Sequence, residues 1–363
     1  MRPAVQPGSA RSRRPWLWLG IGLAVTVVLA GVVTAGVLVA TRSRSSRADL
    51  VMTLRAQTSD GAAPPSAALR AAAGILLDRL SAAGYDQPRV QVTDDRTVVA
   101  TVRGGDPDGL RLLAGPGRLS FRAVVAGPAV PHAEPVPSGT GAPASPPASP
   151  TPAASGAPGG VPAAVVAKLG AAYPAAQGLT DPGQVAPDRL GVLAPFGMLT
   201  PDEVATLPPA MQYAVPTITC DQLNARPAGA VDDPAVRVVA CERTGTQAKY
   251  LLDPARVTAA DVAGANVELQ AASGWTVTVT FTAAGQPRWT ALTESAVAGS
   301  PSNQVAIVVD NEVITAPTVQ AVLTGDATIS GAAIDQDAAR QLAAQLRSGP
   351  LPVTFTVTAI GRA

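Results

Sequence analysis

The sequence predicts an α+β protein that is anchored to a membrane by one N-terminal helix. Three observations lead to this fold class. An apolar run lies near the N-terminus, helix-like and strand-like patterns alternate over residues 50–125, and they alternate again from residue 248 onward. A proline-rich segment follows the first patterned region. With 363 residues the chain is long enough for two or three modest domains.

The apolar run extends from Pro15 to Thr41 and contains no charged residue. About 20 apolar residues in a helix cross a hydrocarbon core of about 30 Å, so we expect a transmembrane helix at 15–41 that contacts the lipid bilayer. Residues 1–14 are then a cytoplasmic tail, and the domains after the helix are extracytoplasmic. Arginines flank the run on both sides, so the positive-inside rule favours this orientation only weakly.

An alternative for the same segment is a cleaved export signal. Ser12 to Leu17 loosely resembles a twin-arginine signal, and Val33 to Ala35 could serve as a small-residue cleavage site. The apolar region of a cleaved signal usually has about 7–15 residues, which is shorter than this run. We therefore favour an uncleaved anchor in the cell membrane.

Residues 50–125 show the element order β-α-β-β-α-β, which is typical of a ferredoxin-like unit. Leu50 to Ala56 is predicted to be a strand, and Ser66 can cap a helix whose leucines share one face. Two strands surround the turn-forming sequence at 93–96, and a short helix follows Asp106 and Pro107. Arg118 to Val125 is predicted to be the last strand of this unit.

The next two segments are predicted to be less regular. Residues 126–163 are rich in proline, alanine, glycine and serine, and they contain too little apolar surface to offset the entropy of ordering. We expect a disordered linker there. Proline and glycine interrupt every apolar run in residues 164–247, so we expect an irregular insertion with one or two short helices.

Cys220 and Cys241 both lie in this insertion. An even pair of cysteines outside the cytoplasm favours a disulfide, which in the loop-entropy model adds about 3 kcal/mol of stability. The sequence does not show whether the two Cα atoms approach each other.

Residues 248–358 are predicted to form a second α+β region. Trp275 to Phe281 alternates strictly between apolar and threonine residues, as in a half-buried strand, and Gln304 to Val309 is a continuous apolar strand. A helix is predicted between Asp335 and Arg347, because acidic residues suit its first turn and a basic residue suits its last. A final strand follows at residues 353–357.

The residues that carry chemistry argue against an enzyme. The net charge of +1 gives no reason to expect nucleic-acid binding, and two cysteines with one histidine are too few for a zinc site. The histidine, His132, lies in the predicted linker, which excludes a conventional Ser-His or Cys-His pair in a folded domain. The acidic pairs Asp94-Asp95, Asp202-Glu203 and Asp232-Asp233 lie in turn-like sequence. We expect no catalysis, no cofactor and no bound metal.

A series of short motifs runs through the C-terminal region in a fixed order. They are Lys249 to Pro254, Gly274 to Phe281, Asn303 to Asp310, Val313 to Pro317, and Ala343 to Pro352, which ends in the sequence LRSGPLP. Their order and spacing resemble the head subdomain of the first periplasmic domain of the SecD family, accessory subunits of bacterial protein export. Pro88 to Val92 and Gly117 to Arg122 are similar to the base of that domain. The resemblance covers residues 50–125 as a base and 248–358 as a head.

The resemblance implies a role in protein export. The implied partners are the Sec translocon or the SecD and SecF membrane subunits, together with exported preproteins, which such a head is thought to hold outside the membrane. SecD continues into a proton-coupled bundle of membrane helices, whereas this sequence ends at Ala363, so we do not expect active, proton-driven pulling.

A head of this kind could bind unfolded chain at a sheet edge or in an apolar groove. The candidate peptide-contact strand is the one that contains Trp275, Thr276, Thr278 and Phe281, although an ordinary core strand explains the same pattern equally well. An alternative function is a cell-envelope binding or sensor module that recognises a component such as peptidoglycan or lipid.

Overall fold

Three β-sheets and ten α-helices form the part of the chain that the structure, a computed structural model, describes: residues 49–58, 61–127, 160–243, 248–271, 273–331 and 334–362. The expected tail, the membrane helix at 15–41 and residues 128–159 of the expected linker lie outside these ranges. Within the ranges, every helix is too short or too polar to cross a membrane. The predicted α+β class is confirmed for the described residues.

The strands are β1 (Asp49–Gln57), β2 (Asp86–Val92), β3 (Thr97–Arg103), β4 (Leu119–Ala126), β5 (Val238–Glu242), β6 (Lys249–Leu252), β7 (Val257–Thr258), β8 (Val262–Gln270), β9 (Gly274–Phe281), β10 (Val305–Val309), β11 (Glu312–Thr315), β12 (Ala327–Ile329) and β13 (Thr354–Arg362). The helices are α1 (Ser66–Ala82), α2 (Pro107–Leu113), α3 (Ala163–Leu169), α4 (Ala172–Ala176), α5 (Pro187–Leu193), α6 (Pro201–Ala205), α7 (Pro209–Ala214), α8 (Cys220–Asn224), α9 (Gly285–Val297) and α10 (Gln336–Ser348).

The base consists of the sheet β13-β1-β3-β2 with helices α1 and α2. The predicted leucine face of α1 is confirmed, because Leu69, Leu76 and Leu80 are fully buried in the core beneath this sheet. β13 pairs antiparallel with β1 from Leu50 opposite Arg362 to Gln57 opposite Thr354. The first and last described strands of the chain therefore lie side by side.

The prediction that residues 118–125 close the base sheet is wrong, because β13 takes that position and β4 joins another sheet. The physical reason is burial. Residues 121–124 of β4 are all buried, so this strand needs cover on both faces, whereas β13 is largely exposed and suits the outer edge of a sheet with one solvent face. The final strand, predicted at residues 353–357 as the end of the head, corresponds to the start of β13 and therefore belongs to the base.

β4 lies instead in a sheet that closes on itself. Its order is β10-β11-β5-β6-β4, and a further antiparallel pairing between β10 and β4 completes the circle, while the short β7 also pairs with β4. Small aliphatic side chains fill the interior of this closed sheet, including Val124, Val238, Ala240, Leu252, Ala306 and Val308. Tyr250 also belongs to this core, but its other buried members are valine, alanine and leucine.

The head consists of the sheet β12-β9-β8 with helices α9 and α10. An aromatic cluster joins the head to the outer face of the closed sheet. Phe121 of β4 lies 5.8 Å from Phe281 and 5.3 Å from Trp289, measured between ring centroids, and Phe281 stacks on Trp289 at 5.4 Å. The helix α10 packs against β8 and also against both base helices, so the head and the base share it.

The helical insertion, residues 163–224, is more regular than expected. It contains α3 to α8, six helices of five to seven residues, around a core of its own that includes Phe196, Val204 and Leu223. Proline occupies the first turn of α5, α6 and α7, where its missing N–H leaves no intrahelical bond unmade. Such short helices show no periodicity over two turns, which is why the sequence pattern underestimated them.

Two chain segments connect the base to the rest of the fold, and we call them the neck: residues 114–118 and 349–353. They run side by side, and the Leu351 N–H donates to the Pro116 carbonyl at 2.9 Å. Arg79 of α1 is fully buried beneath them. Its five N–H groups all donate, to Ser348 Oγ (2.9 Å) and to the carbonyls of Leu113 (2.9 Å), Gly115 (2.6 Å), Pro116 (3.0 Å) and Gly349 (2.7 Å).

Burial lowers the pKa of Arg79 to about 10, so the guanidinium stays charged at neutral pH. A charged group without water must satisfy all of its donors within the protein, and Arg79 does so by holding both neck segments at once. Gly117 has φ +73° and lies against the guanidinium, so a side chain at this position would be strained and would collide with Arg79.

Replacing Arg79 with alanine is expected to lower the free energy of unfolding by about 3–5 kcal/mol, because several buried carbonyls lose their donor. Urea denaturation followed by circular dichroism measures the change. The matched control is Arg70→Ala on the exposed side of the same helix, which should cost less than about 0.5 kcal/mol. Equal effects of the two substitutions would contradict the role of Arg79.

Candidate functional site

The candidate peptide-contact strand predicted from sequence is β9, and the structure places it in the middle of the head sheet. β8 pairs with it on one side over its whole length, and β12 pairs with residues 277–279 on the other. Thr276 is fully buried, and its hydroxyl donates to the Glu268 carbonyl at 3.3 Å. Trp275, Thr278 and Phe281 are half-buried. The core explanation fits residues 277–279 best, because their main chain is paired on both sides.

The head sheet has two edge strands, and β8 is much the longer of them, since β12 has only three residues. Among the described strands β8 pairs only with β9, and in an antiparallel pair alternate residues direct their N–H and C=O groups away from the partner. Nine residues give this edge a length of roughly 30 Å. Leu269 is 65% exposed near its end, and Asn266 and Glu268 are exposed as well.

Two features limit indiscriminate pairing at this edge. The register shifts between Val262 and Gly264, which disrupts the ladder at the start of β8, and Glu268 places a charge near its end. Bulges and charges of this kind protect natural edges from uncontrolled aggregation. Residues 265–270 therefore remain as the stretch at which an extended chain could pair with the sheet.

A second site is a cavity of about 350 Å³ beside the neck. Arg118 is one of the residues that line it. The Arg118 Nη1 atom is 2.6 Å from Asp232 Oδ2 of the segment after the helical insertion, and the Arg118 N–H donates to Asp310 Oδ1 at 2.9 Å. Asp310 follows β10, and its own N–H donates to the Arg118 carbonyl at 2.9 Å. Three distant parts of the sequence thus meet at one wall of the cavity.

Asp310 has φ +56°, a left-handed conformation that aspartate and asparagine tolerate better than most residues. The turn brings its carboxylate against the neck so closely that a Cβ atom at Gly115 would lie 2.8 Å from Asp310 Oδ2. The sequence contains no signal that the turn after β10 touches the neck.

Burial raises the pKa of both carboxyl groups in the cavity. For Asp310, burial outweighs the N–H groups of Arg118 and Gly117 and the charges of Arg79 and Arg243, which act to lower the pKa. For Asp232, burial is again the largest cause; the charge of Arg118 opposes it, and the charge of Asp310 adds to it. The two acids therefore sit where a negative charge is unfavourable.

Arg122 also lines the cavity, but its donors are fully used. The side chain is completely buried and donates to Ser120 Oγ at 3.1 Å and to the carbonyls of Val231 (3.2 Å), Asp233 (3.0 Å), Val236 (2.9 Å) and Asp253 (3.1 Å). Burial lowers its pKa to about 10, so it remains charged at neutral pH. Arg122 holds the segment 231–236 in place and has no donor left for a ligand.

The acidic pairs noted in the sequence have structural partners. Asp94 Oδ1 accepts from the N–H groups of Arg96 (2.8 Å) and Thr97 (2.7 Å), and these bonds lower its pKa. Glu203 accepts from Lys168 at 2.6 Å and closes the cap of α6. Asp233 Oδ1 accepts from the Ala235 N–H at 2.8 Å. In the described part of the chain, no three histidine, cysteine or acidic side chains come together as metal ligands would.

Cys220 and Cys241 are bonded to each other in the structure, and their Cα atoms are 5.6 Å apart. The bond joins the first residue of α8 to β5 of the closed sheet, and both residues are buried. It encloses the segment that carries Arg226 and Asp232. The disulfide therefore fixes the helical insertion to the closed sheet on one side of the cavity.

Comparison with known proteins assigns this fold to a class. A family model described as SecDF, P1 head subdomain, matches residues 237–353. The protein translocase subunit SecD of Streptomyces coelicolor is 43% identical over 158 residues, which cover 42% of this chain and 27% of that protein. SecD of Mycobacterium tuberculosis H37Rv is 32% identical over 329 residues, which cover 84% of this chain and 55% of that protein.

Two solved structures are also similar. A SecDF crystal structure in a super-membrane-facing form matches 86% of this chain and 30% of that one, with a TM-score of 0.42 and 20% identity. A second structure, from a study of SecDF as a membrane component that enhances protein export, matches 86% of this chain and 100% of that one, with a TM-score of 0.40 and 20% identity.

The matched residues assign a SecDF P1-type head subdomain to residues 237–353. The similarity to SecD extends over 84% of the chain and supports a SecD-type domain here. The chain spans about half the length of the M. tuberculosis relative and about a quarter of the S. coelicolor relative.

Removing the disulfide is expected to lower the free energy of unfolding by about 3 kcal/mol, because a closed loop across 21 positions restricts the unfolded chain. The measurement is the urea midpoint of the full chain with and without a reductant. The double variant Cys220→Ala/Cys241→Ala is the control, and the reductant should not change its midpoint. A reductant effect that persists in this variant would contradict the assignment.

Proposed function

We propose that the chain is a single-pass membrane protein that assists protein export without catalysing a reaction. The match of residues 237–353 to the SecDF P1 head subdomain carries this proposal. The relatives named protein translocase subunit SecD support it over 84% of the chain. The apolar run at 15–41 is the proposed anchor, with the N-terminus in the cytoplasm and the folded domains outside it.

The proposed ligand of the head is an unfolded, extended preprotein. An export accessory meets many unrelated sequences, and main-chain hydrogen bonds to a strand edge do not depend on the side chains of the partner. The edge β8 offers such bonds over residues 265–270, and Leu269 adds an exposed apolar contact. These properties favour β8 over the central strand β9 as the contact.

The proposed partners in the membrane are the Sec translocon or the SecD and SecF membrane subunits. The neck suits such an arrangement, because only two chain segments connect the base, which contains β1, to the rest of the fold. A base held near the membrane would then position the head at a fixed distance from the exit of the channel.

Photo-crosslinking in living cells tests the proposal. A crosslinking residue at Asn266 or Leu269 is expected to form adducts with pulse-labelled secreted precursors, and these adducts should disappear when export is blocked. Gln91 on β2, an exposed edge strand of the base, is the matched control and should give few adducts. A probe at the buried Thr276 should give none.

Two outcomes would contradict the proposal. One is the lack of precursor adducts at β8 while the protein is abundant and folded. The other is adducts only with envelope material, which would favour the alternative of a cell-envelope binding or sensor module.

A further inference from the structure

The cavity beside the neck contains a pair of carboxyl groups that has no part in the proposed export function. Two carboxylates from separate parts of the fold, Asp232 and Asp310, face the same cavity on either side of Arg118. Asp310 accepts directly from the Arg118 N–H of the neck, and the neck residue Leu351 also lines the cavity. The ionisation of these groups therefore acts on the connection between the base and the head.

The positive charges near Asp232 and Asp310 do not offset the cost of burying the two carboxylates. Arg118 pairs with Asp232, but the side chain of Arg118 is 48% exposed, so water weakens its attraction. Arg122 faces Asp232, and Arg79 and Arg243 act on Asp310. The N–H groups of Arg79 and Arg122 already donate to carbonyl and serine oxygens. The Arg243 Nε atom lies 2.6 Å from Glu312 Oε2 in an ion pair. Burial therefore raises the pKa of both carboxyl groups despite these charges, and the negative charge of Asp310 adds to the shift of Asp232.

We propose that Asp232 and Asp310 form a pH-responsive joint that tightens the neck as the surroundings change from neutral to mildly acidic. A protonated Asp310 keeps a carbonyl oxygen that accepts from the Arg118 N–H, so the neck contact survives while the cost of a buried charge disappears. When both groups are ionised, opening the cavity to water lowers their energy, and the neck segments separate more often.

The sign of this dependence follows from proton linkage. A carboxyl group whose pKa is raised in the folded state binds more protons when folded than when open or unfolded. Its contribution to stability is therefore largest at low pH and is lost as the pH rises through the folded pKa, in a window above the ordinary aspartate value of about 3.9. The pKa values of Asp94 and Glu203 are lowered, so these groups show the opposite dependence. Their contribution to stability is lost as the pH falls through the folded pKa, in a window below the ordinary values of these acids.

Hydrogen exchange on the full chain tests the joint. After correction for intrinsic exchange, the protection factors of residues 114–118 and 349–353 are expected to be roughly threefold or more higher at pH 5.5 than at pH 7.5. Segments away from the cavity, such as β2, should show no such change. Equal protection of the neck at the two pH values, or weaker protection at pH 5.5, would overturn the proposal.

Asp310→Asn is the decisive variant. Asparagine tolerates the left-handed conformation and keeps an oxygen that accepts from the Arg118 N–H, but it cannot ionise. The neck of this variant should be more protected at pH 7.5 than the wild-type neck is, and its remaining pH response should be smaller, because only Asp232 still titrates in the cavity. A wild-type pH response in this variant would rule out Asp310 as the group that titrates.

Two further variants complete the test. Asp232→Asn removes the neighbouring negative charge and should reduce the pH response of the neck without abolishing it, even if Asp310→Asn folds poorly. Asp95→Asn removes an exposed carboxylate from a turn in the base and is the matched control. It should keep the full wild-type response, and a loss of the response in this control would overturn the assignment to the cavity.

Discussion

The fold depends on one buried arginine at the point where the base meets the remainder of the chain. Arg79 makes five hydrogen bonds, and four of them go to the two neck segments or to their immediate boundaries at residues 115–116 and 348–349. A guanidinium without water cannot leave its donors unpaired, so both segments must be in place for the helix α1 to pack. Within the sequence LRSGPLP, the Ser348 hydroxyl accepts from Arg79, and the φ of +69° at Gly349 favours glycine there. The Gly349 carbonyl and the Leu351 N–H add main-chain bonds to Arg79 and Pro116.

Two other buried arginines also direct their N–H groups to acceptors within the protein. Arg122 holds the segment 231–236 against the closed sheet. Arg226 donates to Leu223 and Gln212 of the helical insertion and to Val239 of β5, and so links the insertion to the closed sheet. The Arg226 carbonyl in turn accepts from Asn311, next to Asp310. The cores consist largely of valine, leucine and alanine, and only 3% of the chain is aromatic. Aliphatic packing has little directionality, so the buried guanidinium groups supply the specific links between the base, the head and the insertion.

Local patterns were sufficient to predict the individual strands and long helices. The strand Trp275 to Phe281, the helix α1 with its leucine face and the helix that begins after Asp335 could be predicted because their periodicity extends over several residues. The partner of β1 could not, since β13 lies about 300 residues away and nothing in either strand encodes that pairing. The sequence also could not place Arg118, Asp232 and Asp310 together, because each looks like an ordinary surface charge and only the tertiary fold brings them to one cavity.

The most direct test of the account measures hydrogen exchange in the head while an unfolded export precursor binds to the full chain. The precursor should slow exchange in β8, most clearly over residues 265–270, because its main chain takes up the outward N–H and C=O groups of that edge. Residues 277–279 of β9 should not change, since both of their neighbours are already in place. Binding that leaves β8 unprotected, or that protects only surfaces outside the head, would contradict the claim that this edge receives the exported chain.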